Sequence, residues 1–130
     1  MIFIAYFEYT QDEDWLRSTG YPFVKEVALF FNCYLTPDVH GTLHAVNDCA
    51  NEICFYGHGG STIGSAETMV QQNDTHSTIA FATSLLRHAG AWAKLLGVDT
   101  ALQEQWASML EMLVKYPLVN ASLSTDQTQM

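Results

Sequence analysis

The sequence predicts an all-α fold, a set of αα-hairpins around one long polar loop, and three observations lead there. Apolar residues recur at helical spacing in three separate stretches. Start and stop residues bracket each of these stretches. Between the first and second, residues 36–74 hold Gly41, Gly57, Gly59, Gly60 and Gly64 with no sustained period, which is loop composition.

Residues 1–9 (MIFIAYFEY) are rich in aromatic and β-branched side chains, which suit a strand. No turn residues precede Asp12 and no partner strand follows nearby, so the closing turns of a helix are the expectation. Asp12, Glu13 and Asp14 then stand ahead of Trp15, Leu16 and Arg17. Acids complement the dipole at a helix start, and Asp12 is the expected N-cap. Gly20 is expected to end this short helix, and Tyr21-Pro22 to open the next with proline at its first position.

That helix is predicted over Pro22–Leu35, from Phe23, Val24, Val27, Phe30, Phe31 and Tyr34. Phe23, Val27 and Phe30 are expected in the core, and Thr36-Pro37-Asp38 stops it. Thr42–Val46 is a candidate extended segment. A connection as long as 36–74 is unusual in a compact domain, and such loops often carry function.

Asn73 or Asp74 is expected to cap a helix over Thr75–Leu96, with Leu85 and Trp92 buried and Gly97 as the residue after its end. Thr100 to Gln103 has the spacing of a capping box for a helix over Ala101–Lys115, with Trp106 and Leu110 buried. Tyr116-Pro117 ends it. The chain thus reads as a helical segment, 1–117, and a polar tail, 118–130, expected to be disordered.

Composition excludes several functions. With 130 residues, 48% hydrophobic and 15% charged, the chain has material for one domain with a real core. Five Lys+Arg against fourteen Asp+Glu give a net charge of −9, which repels phosphate backbones, so no nucleic-acid partner is expected. The longest apolar run, Met1–Phe7, is far short of the roughly 20 residues a membrane span needs, and it lacks the cationic flank of a signal peptide. The sequons at Asn73 and Asn120 matter only in a secreted protein, which leaves the compartment open. Cys33, Cys49 and Cys54 are an odd set, expected reduced, with a Cys49–Cys54 bridge as the alternative.

No metal or cofactor is expected. His40, His44, Cys49, Cys54, His58 and His76 are ligand types for zinc, but their spacing does not fit a site. His40 and His44 share a face only on a helix, and Gly41 with Pro37-Asp38 argues against one. Gly57-His58-Gly59-Gly60-Ser61 lacks the lysine and the strand–helix setting of a phosphate loop.

The segment from Tyr9 to Pro22 (YTQDEDWLRSTGYP), followed by Phe23 to Phe30, resembles a recurrent stretch of the (α/α)6-barrel glycoside hydrolases. The likeness is to family 65, the trehalases and the kojibiose and maltose phosphorylases, and more loosely to family 95. Gln11 stands where the family pattern has glycine. Leu85–Leu96 with Gly97-Val98-Asp99, Trp106 and Leu110 resembles the helix pair after the acid-bearing loop.

The resemblance implies a middle portion of an (α/α)6 toroid acting on a carbohydrate substrate by hydrolysis or phosphorolysis. It also implies Glu52 as the general acid, with Asn73, Asp74 and His76 lining the sugar subsite. Among Ile53, Phe55 and Tyr56, a desolvated Glu52 carboxyl rises from about 4.3 towards neutrality, as an acid catalyst requires. Asp48 is the nearest alternative acid, and Trp15 is a candidate for stacking on a sugar ring. The competing expectation is a non-catalytic helical interaction module or an inactive fragment of such an enzyme. A part-toroid leaves apolar helix faces uncovered, so self-association or association with the rest of a larger catalytic domain is expected.

Overall fold

The computed structural model describes residues 2–48 and 73–115, which form helices and one small hairpin of strands. α1 spans Ile2–Thr10 and buries Ile4 and Phe7. The apolar start of the chain is therefore helical, and Gln11 leaves it at a φ of 52°.

Asp12 then caps α2 (Glu13–Trp15), its carboxylate accepting the Trp15 N–H at 2.9 Å. Gly20 does not end that helix. The chain continues through a π-helical segment, Leu16–Gly20, directly into α3 (Tyr21–Tyr34). Gly20 is required for space instead: a Cβ there would stand 2.5 Å from the Trp15 ring. A π turn of this kind inserts one extra residue per turn and re-aims the helix beyond it.

α3 buries Tyr21, Val24, Ala28 and Phe31, while Phe23 and Phe30 are 49% and 55% exposed and Val27 is half-buried. The expectation that Phe23, Val27 and Phe30 form the core side is thus corrected by one residue, or about 100° of rotation. The apolar face of α3 is broad, opposite Lys25, Glu26 and Asn32, so helical period fits both stripes and packing on α4 selects between them.

β1 (Leu35–Pro37) and β2 (Leu43–Ala45) pair antiparallel, Leu35 opposite Ala45, with Leu35, Leu43 and Ala45 buried. Their turn is held by Asp38, whose Oδ1 accepts the N–H groups of His40 and Thr42 at 2.8 Å each, and by Gly41 at a φ of 86°. Those amides hold the Asp38 carboxyl below the usual carboxylate range.

α4 (His76–Leu96) buries Ile79, Ala82, Leu85, Leu86, Ala89, Trp92 and Ala93 and ends at Gly97 with a φ of 68°. The three-residue turn Gly97-Val98-Asp99 leads into α5 (Thr100–Met112). The expected capping box does not form. Asp99 is the N-cap, at a φ of 53°, and Gln103 donates to the Val98 carbonyl at 2.7 Å. The Asp99 carboxylate is turned to α3, where Tyr21 Oη and Lys25 Nζ donate to it at 2.6 and 2.7 Å.

α5 stops at Met112, short of the expected Lys115. Leu113 turns extended and bridges in parallel to Leu43, and the Val114 N–H donates to the Leu43 carbonyl at 3.1 Å. Trp106 is fully buried, and Leu110 only partly so. Among the described residues, no helix is long and apolar enough to cross a membrane.

Candidate functional site

The chain leaves the hairpin at Asp48 and re-enters the described structure at Asn73, and those two stems are clamped together. Asp74 N–H donates to the Ala45 carbonyl at 2.9 Å, and Ala45 N–H returns a bond to Asp74 Oδ1 at 2.8 Å. Asn47 N–H donates to Asn73 Oδ1 at 3.1 Å. Asn47 and Asp74 hold left-handed φ values of 56° and 54°, which short amide and carboxylate side chains tolerate.

Neither Asn73 nor Asp74 caps α4, as the sequence suggested. Thr75 occupies the N-cap position, and Asp48, 27 residues earlier, supplies the anion. Asp48 Oδ2 accepts from the Thr75 backbone N–H at 3.0 Å and the Thr75 hydroxyl at 2.6 Å, and Oδ1 accepts from the Thr78 hydroxyl at 2.9 Å. A carboxylate at a helix N-terminus meets the positive end of the dipole and unpaired N–H groups.

His44 completes the clamp from the β2 side. Its Nδ1 lies 2.6 Å from Asp74 Oδ2, and its Nε2 lies 3.7 Å from Asp38 Oδ2. The hydrogen bond to Asp74 raises the His44 pKa above 6.5, and the charges of Asp74 and Asp38 add to the rise against partial burial.

Beside the Asp48 contact, α3 and α4 flank an open cleft of about 470 Å³ lined by Phe30, Phe31, Tyr34, Ser77, Thr78 and Phe81. Phe30 and Tyr34 stack at 5.2 Å, and Phe31 meets Phe81 at 6.1 Å. At its polar edge, Tyr34 Oη donates to Asp48 Oδ1 at 3.4 Å. Burial, then the Asp48 charge, pushes the Tyr34 phenol pKa up, so it stays a donor.

Aromatic faces with hydroxyls and a carboxylate at one edge suit a ligand with apolar C–H faces and polar substituents. A neighbouring groove of about 220 Å³, lined by Phe3, Phe23, Val27, Phe81 and other apolar residues, has no polar side chain in its lining. It suits apolar packing instead.

The positions named from sequence are distributed unevenly. Glu52 lies outside the described residues, as do Cys49, Cys54 and His58. Asn73 and Asp74 belong to the clamp. His76 is exposed in the first turn of α4, on the wall of a groove facing α5. Trp15 is half-buried in a cluster with Phe3 and Tyr6, at 5.9 and 4.4 Å, and is not among the residues lining the cleft.

Sequence reasoning missed Tyr34, Thr78 and Phe81 as site residues. Phe81 offered a signal, as a large aromatic off the apolar face of its helix; the run Thr75-His76-Ser77-Thr78 offered another. Among the described residues, no group of three or more His, Cys, Asp or Glu is placed to hold a metal ion.

Comparison with known families assigns the class. A glycosyl hydrolase catalytic-domain model matches residues 2–122, nearly the whole chain, and the helical hairpins are accordingly part of an (α/α)6 toroid of the glycoside hydrolase type. The model is that of the glycosyl hydrolase family 95 catalytic domain, and the chain belongs to that family. The match is to family 95, the looser of the two resemblances, and family 65 is not shown. No curated protein compared with the chain matches it.

Proposed function

We propose that the protein acts on a glycosidic bond by general acid catalysis, with Glu52 donating the proton to the departing oxygen and the Phe31–Tyr34–Phe81 cleft holding a sugar. The observation that carries this reading is the cleft's composition: aromatic walls, two hydroxyl-bearing residues of α4, and Asp48 at the edge. Glu52 follows Asp48 by four positions, so the clamp fixes the chain close in sequence to the proposed acid. In this reading Asn73 and Asp74 contribute to the sugar subsite from just before α4, while His76, on the opposite flank of α4, and Trp15, beside Phe3 and Tyr6, offer contacts to sugar units outside the cleft.

The test is release of reducing sugar from a panel of disaccharides and aryl glycosides. The wild type is expected to turn over at least one of them. Glu52→Gln, which keeps the shape but cannot donate the proton, is expected to lose about 10²–10⁴-fold in kcat. Tyr34→Ala is expected to raise KM. A second reading, a helical interaction module without chemistry, is favoured by the exposed stripe Phe23–Val27–Phe30 on α3. No turnover of any substrate by the wild type, with unaltered folding, overturns the catalytic reading for this chain.

A further inference from the structure

The opposite flank of α4 carries a groove of different character. Ser77, Thr78 and Phe81 face the aromatic cleft, whereas His76, Thr83, Ser84 and Arg87 line a groove of about 700 Å³ against Glu111 and Lys115 at the end of α5. The parallel bridge of Leu113 to Leu43 fixes the backbone that leads to Lys115.

Two of the chain's five Lys+Arg residues stand in this one groove, in a protein with fourteen acids. Elsewhere Lys25 is neutralised by Asp99 at 2.7 Å. Arg87 makes no hydrogen bond or ion pair among the described residues, and Lys115 Nζ donates only to the Leu110 carbonyl, at 2.7 Å. Among the described residues of the lining Glu111 is the single acid, so two exposed cations stand there with one anion.

That balance specifies the ligand. One negative charge balances the second cation, and Glu111 and Ser84 remain to meet hydroxyl groups. A densely charged polymer is opposed by the net charge of −9.

We infer that the groove between α4 and the end of α5 is a second glycan subsite, selective for a sugar unit bearing a single anionic group, either a carboxylate or a sulfate ester. The inference rests on the carbohydrate reading above and adds a substrate class to it: acidic rather than neutral glycans.

The experiment is an NMR amide-shift titration of the full chain with sodium glucuronate, a sulfated glucose, glucose and inorganic sulfate. The expected result is saturable shifts at Ser84, Arg87 and Lys115 with one or both acidic sugars, and weaker binding of glucose and of inorganic sulfate. The tighter of the two acidic sugars identifies the anionic group. Arg87→Gln combined with Lys115→Gln is expected to weaken that binding by about tenfold or more, with an unchanged circular dichroism spectrum.

The inference is overturned if no acidic sugar gives saturable shifts there, if glucose binds as well, or if inorganic sulfate binds as tightly as the acidic sugars. A further titration with a neutral oligosaccharide that shifts Tyr34 and Thr78 supports the cleft separately. Failure at Arg87 is thereby distinguished from failure of the carbohydrate reading.

Discussion

His44 Nδ1 and Asp74 Oδ2 meet at 2.6 Å across thirty residues of sequence, and Asp38 stands 3.7 Å from the other ring nitrogen. The imidazole thus sits between two carboxylates where the hairpin joins the start of α4, and its pKa is raised in the folded state. A raised histidine pKa contributes stability that is fully present below the unfolded value and is lost as pH rises through the folded value.

Thermal stability is therefore expected to fall by a few degrees as pH is raised from about 6 to about 8. His44→Gln should flatten that slope. A melting temperature that rises over this interval, or the same slope in the variant, contradicts the assignment.

Asp48 supplies the anion at the start of α4, and its removal withdraws the acceptor from Thr75 N–H and from the hydroxyls of Thr75, Thr78 and Tyr34. Asp48→Ala is expected to destabilise the protein by on the order of 2 kcal/mol, read from urea unfolding. Asp48→Asn, which keeps an acceptor oxygen and loses the charge, is expected to fall between wild type and alanine. Equal midpoints for wild type and Asp48→Ala would remove Asp48 from the account of the clamp.

The two apolar stripes of α3 make unequal demands on mutation. Phe31→Ala, on the buried stripe, is expected to cost about 3–5 kcal/mol. Phe23→Ser with Phe30→Ser, on the exposed stripe, should cost less per ring than Phe31→Ala, because both rings are about half exposed although they stack on Phe3 and Tyr34. The same pair should reduce any species larger than a monomer seen by sedimentation at micromolar concentration. A wild type that sediments as a monomer, with no loss of solubility on heating, counts against an assembly through this face.

The range of each interaction decides whether the sequence discloses it. Asp12 capping Trp15 and Gly97 closing α4 depend on residues within a few positions of one another, and both are visible in the bare string. The buried faces of α4 and the burial of Trp106 are likewise legible from period. The centre of the buried face of α3 is not, because its apolar face is wide enough to hold both the Tyr21–Val24–Ala28–Phe31 and the Phe23–Val27–Phe30 stripes.

The cap of α4 was equally hidden, since its carboxylate comes from Asp48 while Asn73 and Asp74 reach back to Asn47, His44 and Ala45. The aromatic cleft belongs to the same category. Tyr34 and Phe81 stand far apart in the chain, and only the packing of α3 on α4 makes them neighbours.

The clamp of Ala45, Asn47 and Asp48 against Asn73, Asp74 and Thr75 has a structural consequence. Once two stems are bonded to each other, closing the chain between them is a weak function of its length, with each doubling costing only about 0.6 kcal/mol. The bonds between the stems are made by residues 45–48 and 73–75 themselves, so the start of α4 is tied to the hairpin by groups on the two stems.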